Sequence, residues 1–324
     1  MDPLVTVSLL IRNHSQYIEA CLKTVLAQTY KNLQVIVTDN DSTDDSVDIV
    51  RSRFPLVRLV CNKKNLGYSG GHNKAIRMSD GAYFMALNPD VFMTPRFIEE
   101  KVRRFEEDPS VGMVDGKLLR AEFRNGKVIA TGMIDSTGLL LKKNRKNTER
   151  GSGERDRGQY ENQDFVFGPF GAAPMYRRKM LEDTKLGEEY FDEDFFAYRE
   201  EVDLAWRGQL RGWKCLYVPQ AVACHIHAYN PETRKSQPRS LRRMQFRNRY
   251  FLMIKNDRMR DMVLHLPYIL GFELMALAYV LVREPFLIRG YCEVLKAMPR
   301  MRKKRRLVCG MRTVPDGAIR RWFV

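Results

Sequence analysis

Asn65-Leu-Gly-Tyr-Ser-Gly-Gly-His-Asn73, followed closely by Ala86-Leu-Asn-Pro-Asp-Val91, decides how the chain folds. A polar, glycine-rich turn opens a short helix, and an apolar strand then stops abruptly at Asn88-Pro89-Asp90. That order delivers backbone amides and a carboxylate to one edge of a sheet, a setting that suits a phosphate-bearing ligand with a metal ion.

The segments before this stretch repeat its pattern. Val5 to Ile11 is β-branched and continuously apolar, as a strand buried on both faces must be, and it ends in Arg12-Asn-His-Ser15. Ile18, Cys21, Leu22, Val25 and Leu26 recur at helical spacing, and a second buried strand, Leu33 to Thr38, stops at Asp39-Asn-Asp41. Ser42-Thr-Asp-Asp45 caps another helix, and Val57 to Cys61 is a third strand. Strand–helix alternation with short polar turns predicts a mostly parallel sheet covered on both sides. Ligands of such sheets bind beyond the carboxyl ends of the strands, where Asn13, Asp39, Asn65 and Asp90 all stand.

After Asp90 the spacing predicts a helix over 95–105 and a strand over 111–115. Residues 142–163 are almost wholly polar and read as a long loop over the site. Phe191-Asp-Glu-Asp-Phe-Phe-Ala-Tyr-Arg-Glu-Glu-Val-Asp-Leu204 follows, its second half helical up to Gly212, and strands are expected at 215–218 and 221–225. Beyond residue 230 the chain turns basic and helical. The apolar run 262–282 is interrupted by His265, Pro267 and Glu273, which disfavours a bilayer span and predicts an in-plane amphipathic element.

With 324 residues, 44% of them hydrophobic, the chain is long enough for one large domain with an appendage, drawn here as 1–229 and 230–324. The net charge of +16 favours anionic partners without choosing among nucleic acid, lipid headgroups and a diphosphate. Six dispersed cysteines without a CxxC pair suggest neither a zinc site nor a disulfide framework. No basic and apolar leader precedes the first strand, so a cytoplasmic chain is expected.

Taken with the segments at Asp39–Ser46 and Phe191–Leu204, the opening stretch resembles the inverting glycosyltransferase family 2 with its GT-A fold, and most closely its rhamnosyltransferase-like branch. The resemblance covers roughly residues 4 to 260. It implies a Rossmann-like, mostly parallel α/β sheet flanked by helices, with a C-terminal α-helical membrane-associating region. By the same resemblance Asp39, with Asp41 and Asn13 beside it, holds the nucleotide of a nucleotide-diphosphate sugar. Asn65, Gly67, Gly71 and Asn73 lie against nucleotide and sugar. Asp90 matches the last aspartate of the metal-binding Asp-x-Asp motif for Mg²⁺ or Mn²⁺, with Asn88 in place of the first. His225 matches a histidine near metal or diphosphate. Glu201 stands where the general base is expected, with Glu200 in reserve. The implied acceptor is a glycan or lipid-linked glycan at the inner face of the cell membrane, the implied donor a dTDP-rhamnose or UDP-sugar. Two other classes compete. A nucleic-acid-binding protein would explain the charge but not the acids at the strand ends, and an inactive sugar-nucleotide-binding scaffold would keep the fold without turnover.

Overall fold

The computed structural model describes residues 2–226, 237–315 and 317–324. Strands β1 (Val5–Ile11), β2 (Leu33–Asp39), β3 (Arg58–Cys61) and β4 (Tyr83–Leu87) run parallel in the order β3-β2-β1-β4, with Val5 opposite Leu33 on one side and Tyr83 on the other. Helices α1 (Ser15–Leu26), α2 (Ser46–Arg53) and α3 (Gly67–Arg77) are the crossovers. Val7, Leu9 and Ile11 are fully buried, as the continuous apolar run requires of a central parallel strand.

The second half makes the sheet mixed. After β5 (Val91–Met93) and α4 (Phe97–Glu107) come β6 (Val111–Arg124) and β7 (Lys127–Ser136), which form a hairpin. The pair β8 (Leu139–Leu141) and β9 (Asn147–Glu149) stands apart as a small second sheet. Strand β10 (Asp164–Val166) lies at the edge, and β11 (Met175–Arg177) inserts antiparallel between β4 and β6. Helices α5 (Arg178–Thr184) and α6 (Glu200–Leu210) precede β12 (Lys214–His225), which runs parallel to β6. The expected strand over 111–115 is thus much longer, because polar Lys117, Arg120 and Glu122 hid its continuation. The two strands expected at 215–225 are one, with a register shift between Val218 and Val222 around Pro219-Gln220.

Helices α7 (Arg239–Asn256), α8 (Met259–Leu264), α9 (Leu266–Val282) and α10 (Ile288–Gly310) complete the chain. Phe251 and Leu252 of α7 and Met301 and Val308 of α10 share one core with Val202, Leu204 and Trp206 of α6. The boundary drawn at 229/230, like His227, lies outside the described residues. Past it the helices pack into the same core, each large side chain contributing about 1.5–3 kcal/mol of burial.

The polar segment 142–163 is not a free loop. Arg145 is fully buried, pairs with Asp257 at 2.6 Å, and lies 4.0 Å over the Phe323 ring. Lys117 pairs with Asp156 at 3.2 Å and the Tyr217 hydroxyl donates to the Tyr160 carbonyl at 2.9 Å. The amphipathic expectation for 262–282 also needs correction. Pro267 sits in the first turn of α9, where a missing N–H costs little. The one carboxylate, Glu273, points inward to Arg249 (2.5 Å) and Tyr250 (2.6 Å). The outward positions, Leu270, Leu274, Met275, Leu277 and Leu281 among them, are exposed and apolar, so α9 has its polarity inside out.

One ionic network ties α7 to the segment before α6. Lys255, with no exposed side-chain surface, contacts both Asp192 and Asp203, the latter at 2.7 Å, and both carboxylates are equally buried. Asp203 also accepts from Arg207 (2.9 Å) and Asn256 (2.7 Å), and Lys304 reaches Asp192 at 2.5 Å. Breaking a buried pair from one side costs about 3–5 kcal/mol. Lys255→Met is therefore expected to lower stability by about that amount, checked by urea unfolding, whereas Arg51→Met at an exposed pair leaves the midpoint unmoved.

Candidate active site

The carboxyl ends of β1 to β4 form a continuous cradle. Asn13 adopts a left-handed conformation (φ 59°) that turns the chain out of β1, and its side-chain oxygen accepts from Thr43 N–H at 2.7 Å. The nearly buried Asp39 carboxylate accepts from the amides of Asp41 and Ser42, both at 3.2 Å, which fixes the exposed Asp41 at φ 68°. Asn65 accepts from Gly67 N–H at 2.8 Å, setting the start of α3. Gly67 has φ +71°, and an added Cβ would lie 2.3 Å from the Phe196 carbonyl, so only glycine fits. Gly71 and Asn73 sit deeper than a ligand-facing role requires. A Cβ at Gly71 would meet Leu10, and the buried Asn73 amide donates to the Phe191 carbonyl (2.7 Å) and accepts from Phe191 N–H (2.8 Å). What they hold directly is protein.

At the end of β4, Asn88 is anchored through its backbone to Ala172 (2.8 Å). Asp90 Oδ1 is buried without a hydrogen bond and faces His225 Nε2 at 3.4 Å. On its other side His225 Nδ1 lies 2.7 Å from Asp135 Oδ2, and Arg120 approaches Asp135 at 3.6 Å. Burial works against a charged imidazole, but the two flanking carboxylates prevail and push His225 up to about 10. His14 also senses the Asp90 charge, although burial keeps its pKa below the ordinary value.

Glu200 and Glu201 open α6. The three residues Phe196, Tyr198 and Arg199 immediately before them are left-handed at φ 63°, 70° and 73°. Non-glycine residues so placed cost roughly 1–3 kcal/mol each and persist only where the surroundings force them. Here Asn248 of α7 binds the carbonyls of Phe195 (3.0 Å), Ala197 (2.9 Å) and Tyr198 (2.8 Å). Burial pushes the Glu201 carboxyl up to about 7. Glu200, buried too and repelled by the charge of Glu201, is raised well above the usual carboxylate range, and its Oε2 has no hydrogen bond.

The two groups are joined by the segment Phe167-Gly-Pro-Phe-Gly-Ala-Ala-Pro174. The Phe170 ring packs edge-on to His225 (5.9 Å), and a Cβ at Gly171 would touch the Glu201 side chain at 3.4 Å. The Tyr68 hydroxyl donates to the Gly171 carbonyl at 2.8 Å. From beneath, Lys101 donates to Ala173 O (2.7 Å) and Asp115 accepts from Phe170 N–H (2.9 Å). Burial lowers Lys101 to about 8 and raises Asp115 to about 6. Sequence reading missed Tyr68, Lys101, Asp115 and the bridging role of this segment. The pairing of Asp135 with His225, 90 residues away, left no sequence signal.

Among the described residues no cluster of three or more His, Cys, Asp or Glu side chains could hold a metal ion. Asp90, with its orphaned buried oxygen, and His225, once its Nε2 gives up the proton that faces Asp90, nevertheless fit a divalent cation that would take its remaining ligands from a bound diphosphate.

Comparison with known proteins agrees with this layout. Residues 6–184 match the model for "Glycosyl transferase family 2". The chain is 27% identical over 232 residues to an N-acetylglucosaminyl-diphospho-decaprenol L-rhamnosyltransferase of Mycobacterium tuberculosis, covering 66% of this chain and 73% of the relative. It is 32% identical over 133 residues to a chondroitin synthase of Escherichia coli, across 40% of this chain and 19% of that one, and spans only about a third of the length of other early matches. In structure it resembles the mannosyltransferase PcManGT from Pyrobaculum calidifontis in complex with GDP-Man and Mn²⁺, with TM-score 0.56 and 17% identity over 96% of this chain and 86% of the other. The sheet and its flanking helices are the GT-A fold.

The charge state of His225 is open to direct measurement. With Asp135→Asn one of the two carboxylates that hold the proton is lost, so the histidine pKa, followed by NMR titration in the metal-free protein, falls from about 10 toward the ordinary 6.5. An unchanged titration would show that Asp135 does not govern it.

Proposed function

The chain belongs to glycosyl transferase family 2, and on that premise we propose that it moves a sugar from a nucleotide-diphosphate donor to an acceptor hydroxyl with inversion. The observation that carries the reading is the buried Glu200–Glu201 pair facing, across the segment 167–174, the Asp90–His225 pair at the strand ends.

In this reading the cradle of Asn13, Asp39 and Asp41 receives the nucleotide, with Asn65, Gly67 and the start of α3 alongside. Asp90 and His225 hold a divalent cation, with Asn88 beside them as a neutral neighbour. The ion, when bound, offsets the charge of the departing diphosphate. Glu201 takes the proton of the acceptor hydroxyl as its oxygen attacks the anomeric carbon from the face opposite the diphosphate. A pKa of about 7 suits that task, since the group is about half ionised at pH 7 and more so above it, yet remains basic enough to accept a proton. Glu200, raised well above the usual carboxylate range by burial and by the charge of Glu201, is the weaker candidate. One displacement needs one base and no covalent intermediate.

The similarity to a decaprenol-linked rhamnosyltransferase supports dTDP-rhamnose, or a UDP-sugar, as donor and a lipid-linked glycan as acceptor. The exposed apolar face of α9 supports a position at a membrane surface, which we place at the inner face of the cell membrane. No single helix among the described residues is long and apolar enough to cross a bilayer, although α9 and residues 285–310, bent by 120°, pass that test as a pair. On α7, Arg242, Arg243, Arg247 and Arg249 all pair with glutamates of the same helical unit, so these four form no free stripe for nucleic acid.

Glu201→Gln tests the assignment. Turnover of a donor that binds in a thermal-shift panel falls about 10²–10⁴-fold while donor affinity is retained; undiminished turnover removes Glu201 from the mechanism. Because the base works ionised, kcat/KM of the wild type declines tenfold per unit as pH drops below about 7. A pH–rate profile with no break between pH 6 and 8, roughly one unit around that pKa, would count against it.

A further inference from the structure

Helix α9 is apolar over more of its circumference than a helix floating on an interface is. At about 100° per residue, its exposed positions between Leu266 and Val282 sweep roughly 220° of the helix, and none of them carries a charge. Leu274, Met275 and Val282 are 69%, 66% and 76% exposed. An interfacial amphipathic helix confines its apolar stripe to one side and sets charge on the other. No such outer polar side exists here, since the one carboxylate, Glu273, turns inward to Arg249. About 26 Å long at 1.5 Å per residue, α9 falls short of a hydrocarbon core of about 30 Å, and the chain then bends by 120° into residues 285–310. These dimensions suit immersion in one leaflet.

Helix α10 supplies the boundary of that leaflet. Its inner line, Gly290, Val294, Ala297, Met301 and Val308, is buried. The opposite line begins apolar with the exposed Ile288, Cys292, Leu295 and Pro299. It continues as the exposed Arg302, Lys303 and Arg306, with Arg289 and Lys296 alongside. The acids of this helical unit are engaged elsewhere: Asp257 with Arg145, Asp261 with Arg320, Glu273 with Arg249, Glu284 with Arg242, and Glu293 with Arg243 and Arg247. Residues 237–315 hold no other carboxylate side chain. Among the described residues, then, no carboxylate answers the cations on the outer side of α10. A nucleic acid would answer their charge but not the apolar row in line with it, whereas a bilayer with anionic headgroups answers both.

We propose that this helical unit docks on an anionic bilayer, with α9 immersed in the acyl region of one leaflet and the outer side of α10 resting on phospholipid phosphates. This rests on the membrane-surface position and adds to it the class of lipid and the depth of α9; the identity of the sugar donor does not enter.

The test sediments the full chain with vesicles of phosphatidylcholine, with and without phosphatidylglycerol. Capture by the anionic vesicles is expected to exceed capture by phosphatidylcholine alone by about tenfold or more and to weaken as salt rises. Arg302→Gln/Lys303→Gln/Arg306→Gln should bind the anionic vesicles about 100-fold more weakly, while Arg302→Lys/Arg306→Lys binds as the wild type does. Leu274→Trp places a fluorophore on the exposed side of α9, and lipids brominated on the acyl chain are expected to quench it beyond the wild-type background. Equal capture by the two vesicles, or a triple Gln variant that binds like the wild type, overturns the headgroup role of α10 and leaves the membrane position standing. Added fluorescence that escapes quenching in the vesicle-bound protein overturns the immersion of α9. A wild type captured by neither vesicle overturns both parts together with the membrane position. In that case a dimer in analytical ultracentrifugation would assign the apolar face to a second copy, and retention on a DNA duplex would assign the basic line to nucleic acid.

Discussion

Lys255 sits without solvent between the carboxylates of Asp192 and Asp203, and the position of the acid pair at the head of α6 depends on it. An ammonium withdrawn from water costs several kcal/mol, which only close anionic partners offset. Asp192 and Asp203 supply that compensation while fastening two separate segments, the approach to α6 and α6 itself, onto α7. Burial alone would raise Asp192, yet Lys255 and Lys304 hold it well below the usual carboxylate range. With those anchors in place, and with Asn248 binding three carbonyls, the left-handed run at 196–199 is a supported conformation that aims Glu200 and Glu201 at the cleft.

The same low-dielectric setting separates the roles of two adjacent glutamates. Burial raises both, and the charge on Glu201 raises Glu200 further. Across the segment 167–174 the balance is reversed: Asp90 and Asp135 surround a histidine and leave one buried oxygen unsatisfied. On the reading proposed for the chain, one side of the cleft takes a proton and the other holds a cation. The bridging residues are small because Gly171 must admit Glu201 and Gly168 must admit Ala205.

The cradle at the strand ends was legible in the sequence because it is local. Each strand end carries its polar residue within a few positions of an apolar run, and the parallel sheet lines those ends up without long-range information. Glu200 and Glu201 were legible through resemblance to a family, since an acidic first turn by itself reads as a response to the helix dipole. What escaped was non-local: Asp135 with His225, Lys101 with Ala173, Arg145 with Asp257. Arg145 illustrates the reason. In a polar stretch it reads as solvated, and nothing nearby announces that a carboxylate 112 residues later and an aromatic ring at the C-terminus will enclose it. Gly71 and Asn73 failed in the opposite sense, since their polar, flexible character suggested ligand contact while the fold uses it to seat α3.

The C-terminal helices join these two scales. Helix α9 turns its single carboxylate inward and its leucines outward, the reverse of what a water-facing helix does, because Glu273 finds Arg249 and Tyr250 on α7. That pairing belongs to the same helix that supplies Lys255 and Asn248. The exposed apolar face of α9 and the residues that brace Glu200 and Glu201 are therefore linked through α7. On the reading proposed for the chain, a lipid-linked acceptor does not search for the base in three dimensions. On that reading the exposed apolar face of α9 holds the chain at the surface from which the acceptor's hydroxyl reaches Glu201. Tethering to that surface already limits the hydroxyl's approach, and what remains to be selected is its stereochemistry.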